Sequence, residues 1–107
     1  MTSLLGMAKK VRVKSLQGTE DNSCKCCGSW RKHWSIHNGG VPALWCRGCG
    51  VLMPEKDLVG GHVFKVNSTD HKWYVVPLCK SCNNSKPFEF DVKLKELVWV
   101  EACEKKG

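Results

Sequence analysis

Followed as an alternation of apolar and polar positions, the chain divides into a polar start, a short amphipathic helix, a cysteine-rich turn, a hairpin and an alternating tail. Residues 1–23 are polar and basic and end in Gly-Thr-Glu-Asp-Asn-Ser, which predicts a flexible basic arm with at most a short strand over Val11 to Leu16. The ordered domain is expected over residues 24–107. Ser29 suits a helix N-cap and Asn38-Gly39-Gly40 a stop, so Trp30 to His37 reads as a helix with Trp30, His33, Trp34 and His37 on one face. Residues 41–53 carry the turn Trp45-Cys46-Arg47-Gly48-Cys49-Gly50. Two strand-like runs follow, His62 to Val66 and Trp73 to Val76, joined by the turn-forming Asn67-Ser68-Thr69-Asp70; this is a hairpin that Pro77 is expected to end. Leu78 to Lys86 reads as a helix start. The tail alternates Phe88, Phe90, Val92 and Leu94 before Leu97-Val98-Trp99-Val100, the period of strands, with a helix from Val92 as the alternative.

At 107 residues the chain has room for one domain whose core alone is marginal. Eight cysteines leave two explanations, a disulfide framework or metal. Met1 to Gly6 offers few apolar residues before Lys9 and Lys10, unlike an export signal, and no stretch approaches the roughly 20 apolar residues of a membrane span. An intracellular location, cytoplasmic or nuclear, with reduced thiols is therefore expected, which favours metal.

Three Cys-x-x-Cys pairs are present: Cys24/Cys27, Cys46/Cys49 and Cys79/Cys82. On so tight a turn both sulfurs can face inward with backbone N–H groups directed at them, and two such pairs complete a tetrahedral zinc site. The natural site is Cys46, Cys49, Cys79 and Cys82, a knuckle and a helix start brought together around the hairpin. The expected fold is thus a small α+β zinc-stabilised domain of treble-clef type, with an extra N-terminal cysteine pair and helix. A second zinc is expected from Cys24 and Cys27 with His33 and His37, whose spacing of four puts both on one side of a helix, or with Cys103 recruited instead. Alternatively Cys24/Cys27 complete the Cys79/Cys82 site. Cys26 reads as a spare thiol.

In this stretch the sequence resembles the HNH, or ββα-metal, group of treble-clef nucleases. The matching residues are Cys46-Arg-Gly-Cys49, then Gly60-Gly61-His62-Val63, then Val76-Pro77-Leu78-Cys79-Lys80-Ser81-Cys82-Asn83-Asn84-Ser85-Lys86, about residues 46–86. The resemblance implies His62 as the general base that activates water and Asn83 as the final ligand of a catalytic Mg²⁺ or Mn²⁺. Two positions depart from the pattern: Gly61 stands where an acidic ligand is expected, and Tyr74 where a central Asn would orient the base. Loss of a carboxylate weakens the hold on a hard cation, so a degenerate, non-catalytic member is expected. Without catalysis, His62 reads as a packed histidine or a zinc ligand, and Asn83 as a helix-start residue satisfying local backbone groups.

The formal charge is +7, and residues 1–53 hold eight basic against two acidic side chains, which points to a polyanionic partner. Four thiolates around Zn²⁺ carry a net −2, so two such sites would bring the charge to about +3 without removing the asymmetry. Nucleic acid, DNA above all, is the expected partner, contacted by Lys9, Lys10, Arg12, Lys14, Arg31, Lys32, Arg47, Lys80 and Lys86. One or two of the tryptophans Trp30, Trp34, Trp45, Trp73 and Trp99 are candidates to stack on unpaired bases. The other readings are a working HNH endonuclease and a protein-binding inhibitor or effector on a zinc scaffold.

Overall fold

The computed structural model describes residues 9–15, 27–84 and 88–102. Within them lie β1 (Lys10–Ser15), α1 (Trp30–Ile36), β2 (Leu58–Lys65), β3 (Tyr74–Cys79), α2 (Lys80–Asn83), β4 (Phe88–Lys93) and β5 (Val98–Trp99), with 3-10 turns at Glu55–Asp57 and Leu94–Glu96. The strands form one antiparallel sheet in the order β4-β1-β2-β3-β5. The α+β class is as expected, but the sheet is larger than a single hairpin.

The short strand allowed over Val11 to Leu16 is present as β1, and the departure is its place inside the sheet. Residues expected in a flexible arm form a strand hydrogen-bonded on both sides, with Val13 opposite both Lys65 of β2 and Phe90 of β4. The physical reason is alternation: Val11, Val13 and Ser15 face one way, and Val13 and Ser15 are fully buried, while Arg12 and Lys14 face the other. A strand's charge does not prevent it from sitting inside a sheet when one face stays open to water. Residues 10–15 therefore belong to the domain; residues 16–26 lie outside the described part, so the expected boundary at residue 24 does too.

The hairpin is longer than expected, because β3 runs through Pro77 to Cys79 instead of stopping. β5 covers only Tyr74 and Val75, and beyond it the Arg47 N–H donates to the Pro77 carbonyl at 2.9 Å. N and O of one strand residue point to the same side, so the N–H that proline lacks would have faced this outer edge and no bond to β2 is lost.

The helix forms as its caps dictate. Ser29 Oγ accepts from the Lys32 N–H at 3.1 Å, and after His37 the chain turns through Gly39 and Gly40 at φ 74° and 76°. It buries His33 and Trp34 against the sheet. At Gly60 of β2 the approach is so close that a Cβ would lie 2.4 Å from the Trp30 carbonyl carbon. Trp34 Nε1 donates to the Glu96 carbonyl at 2.8 Å, tying α1 to the tail. The core combines Trp34, Ala43, Val63, Val75, Val76, Leu78 and Val98 with Val13, Phe90 and Val92 of the outer strands. Among the described residues no helix is long and apolar enough to cross a membrane.

Candidate metal centres

Cys46, Cys49, Cys79 and Cys82 converge, their sulfurs all within 4.8 Å of one another. The knuckle is closed by Gly50 N–H to the Cys46 carbonyl at 2.8 Å and by Cys46 N–H to Val51 O at 3.0 Å, with Gly50 at φ 80°. Cys79 ends β3 and caps α2, which carries Cys82, and the Arg47–Pro77 bond clamps knuckle to strand. Cys49 and Cys79 Sγ are 3.9 Å apart. A zinc tetrahedron with Zn–S of about 2.3 Å has edges of about 3.8 Å, so the cluster fits the ion with only small movements.

Electrostatics points the same way. Burial pushes the Cys46 thiol up, but backbone hydrogen bonds from Cys49, Cys79 and Gly48 outweigh it and bring the thiol to about 7. Gly48 and Cys49 N–H stand 3.3 and 3.4 Å from its sulfur. Cys82 is pushed up instead, by burial first and then by the neighbouring thiols. Thiolates packed this closely repel one another until a cation takes their charge.

Cys27, His33 and His37 form a second cluster whose donor atoms also lie within 4.8 Å. Cys27 Sγ is 3.7 Å from His33 Nδ1 and 3.9 Å from His37 Nε2. His33 Nε2 sits 2.8 Å from the Trp99 carbonyl. A carbonyl only accepts, so Nε2 carries the proton and Nδ1 keeps its lone pair toward Cys27, the arrangement that orients a metal-binding imidazole. Burial lowers the His33 pKa, the Trp99 bond opposes this, and His37 lowers it further; the neutral ring is favoured. Cys24, Cys26 and Cys103 lie outside the described residues.

The residues matched to the HNH pattern are placed as follows. Gly60 and His62 face α1, and the His62 ring meets Trp30 edge-on at 4.8 Å between centroids. Gly61 faces the other way: a Cβ there would lie 2.5 Å from Leu78 Cδ1 and 2.8 Å from Asn83 Oδ1. His62 and the fully buried Asn83 of α2 thus lie on opposite faces of β2, and the space beside Gly61 is filled by Leu78 and Asn83. Tyr74 does not point to a histidine; its hydroxyl donates to Asp70.

Of the expected nucleic-acid contacts, Arg47 is corrected. Its side chain is 6% exposed; Nε bonds Glu96 Oε1 at 3.0 Å, Nη1 donates to Trp45 O at 2.8 Å, and the guanidinium stacks 3.7 Å over the Trp45 ring. A planar cation between an aromatic ring and a carboxylate serves the fold. Arg12 is exposed but bonds Glu89 and Asp91 at 3.4 and 3.2 Å, and Arg31 pairs with Glu55 at 3.6 Å. Lys9, Lys10, Lys32 and Lys80 are exposed and Lys14 is half-buried, while Lys86 lies outside the described residues. Glu96 and the Trp99 carbonyl were not foreseen as supports for Arg47 and His33, because both contacts span about half the chain.

No family model, curated protein or solved structure matches the chain, so its function has to be argued from this geometry.

Proposed function

We propose that the chain is a treble-clef-like module organised by two structural zinc ions that binds nucleic acid without cleaving it. The zinc part is supported by the four sulfurs that a knuckle and a strand-to-helix junction bring together around the β2–β3 hairpin. This order of parts is also that of the HNH group the sequence resembles. Against catalysis stands Gly61, which supplies no metal-binding carboxylate and whose Cβ space is taken by the side chains of Leu78 and Asn83, so a side chain there would have to displace them.

The observation that carries nucleic-acid binding is at the outer end of β1. Lys10 stands directly opposite Lys93 on β4, with Lys9 beside it and Lys95 after the strand, all exposed. Like charges directly opposite each other destabilise a sheet, and a phosphate between them reverses the sign of that contribution. The test is a mobility shift of single-stranded and duplex DNA and RNA by the zinc-loaded protein. Affinity should fall steeply from about 50 to 200 mM salt, with no cleavage in Mg²⁺ or Mn²⁺. Absence of binding at low salt, or metal-dependent cutting that His62→Ala abolishes, would contradict the reading.

A protein partner is favoured by one feature, the apolar tip beside the knuckle, where Leu44, Val51 and Leu52 are 52%, 53% and 77% exposed. Association through it would be insensitive to salt.

A further inference from the structure

The open half of the sheet carries an aromatic pair that the reading above does not use. Phe64 near the end of β2 and Trp73 just before β3 meet edge-to-face, centroids 5.3 Å apart at 74°. They line a shallow groove of about 510 Å³ with His71 and the turn residues Asn67 and Ser68. Trp73 is 37% exposed, which is unusual for so large an apolar ring beside a packed core. In an edge-to-face pair one ring keeps a face open for a further ring.

The charges around the groove select the occupant. Lys14 of β1 lies directly across from Phe64 on the same face. The acids that would repel a phosphate are already engaged. Asp70 accepts from Tyr74 and from the Lys72 N–H at 2.7 Å and pairs with Lys65 at 3.0 Å; Arg12 holds both Glu89 and Asp91. His71 is exposed at the other rim, whereas Lys72 turns away from the groove, its Nζ lying 4.6 Å from the centre of the Trp99 ring. A lysine-flanked aromatic surface on a sheet matches the chemistry of an unpaired base with its backbone phosphates, and duplex bases, already stacked, cannot use it.

We propose that Phe64 and Trp73 form a stacking platform for an unpaired base of a single-stranded nucleic acid, with Lys14 taking an adjoining phosphate. The proposal rests on the nucleic-acid reading and specifies the strand state it prefers. The experiment measures fluorescence anisotropy of a labelled oligo-dT and of a duplex of equal length against the zinc-loaded protein and its Trp73→Ala, Trp73→Phe and Lys14→Ala variants, each checked for zinc content and melting temperature. Trp73→Ala should weaken oligo-dT binding by about 5- to 150-fold, the range that corresponds to one stacked base, with duplex binding and the salt slope unchanged. Trp73→Phe should recover most of the loss, and Lys14→Ala should reduce the salt slope by about 1. Wild-type protein that binds both forms while Trp73→Ala leaves oligo-dT affinity unchanged, or lowers both forms equally, overturns the platform and leaves the nucleic-acid reading intact. Wild-type protein that binds neither form overturns both.

Discussion

Replacing Gly60 with alanine tests whether α1 rests on β2 through bare backbone. The new Cβ would come 2.4 Å from the Trp30 carbonyl carbon, 2.5 Å from Trp30 Cβ and 2.6 Å from Arg31 N. Non-bonded carbons settle at about 3.5–4.0 Å, so the helix would have to lift by roughly 1 Å. Overpacking of this kind costs about 1–3 kcal/mol, and the obstructing atoms are mostly helix backbone, which cannot swing aside, so the upper end applies. At about 4–8 °C per kcal/mol for a domain near this size, Tm should fall by about 12–24 °C. The same lift strains the 2.8 Å contacts from His33 to Trp99 and from Trp34 to Glu96. Zinc held by Cys27, His33 and His37 should therefore be released to a chelator before zinc held by the four cysteines. Gly39→Ala is the control: nothing lies within 4 Å of its Cβ position, and only the cost of φ 74° remains, about 1–2 kcal/mol. Thermal melts in zinc buffer and a chromogenic chelator read both effects. A Gly60→Ala protein that melts with the wild type and releases its zinc at the wild-type rate would refute the reasoning.

Other outcomes follow from single contacts. Arg47→Ala strands Glu96 in a pair whose side chains are 6% and 14% exposed, and should cost about 3–5 kcal/mol by denaturant unfolding while leaving the salt slope of nucleic-acid binding unchanged. Gly61→Asp should lower Tm and yield no Mg²⁺-dependent nuclease in a plasmid-nicking assay, because the carboxylate meets Leu78 and Asn83 before it meets a metal. Asp70 is held down at about 2, by the Tyr74 hydroxyl first, then by the Lys72 N–H and Lys65. A depressed carboxylate stabilises the folded state above its unfolded pKa of about 4, and that contribution is lost as pH falls toward 2. Tyr74→Phe should move the Asp70 titration upward and shrink the acid-dependent loss, as followed by carboxyl NMR shifts.

What was legible in the sequence was local. Ser29, Gly39 and Gly40 bound the helix because capping depends on a few neighbouring residues, and the Cys-x-x-Cys spacing defines the knuckle for the same reason. The i, i+4 spacing of His33 and His37 likewise placed both on one side of α1. Non-local pairings were not legible. β1 reads as a basic arm until β2 and β4 are placed on either side of it, since its few apolar residues gain burial only from both partners. Pro77 reads as a strand end unless the edge it faces is known, and Arg47 reads as a surface cation until Glu96, far along the chain, closes over it. The same limit hid the Phe64–Trp73 pair, whose meaning comes from Lys14 across the sheet.

The central claim is that metal organises this fold, and native mass spectrometry of protein purified without chelator tests it most directly. The account predicts two zinc ions per chain, one for each cluster. Cys46→Ser with Cys79→Ser should remove one ion and unfold the domain, and His33→Ala with His37→Ala should remove the other. A folded chain carrying no zinc, or one with Cys46, Cys49, Cys79 and Cys82 joined in disulfides, would contradict it.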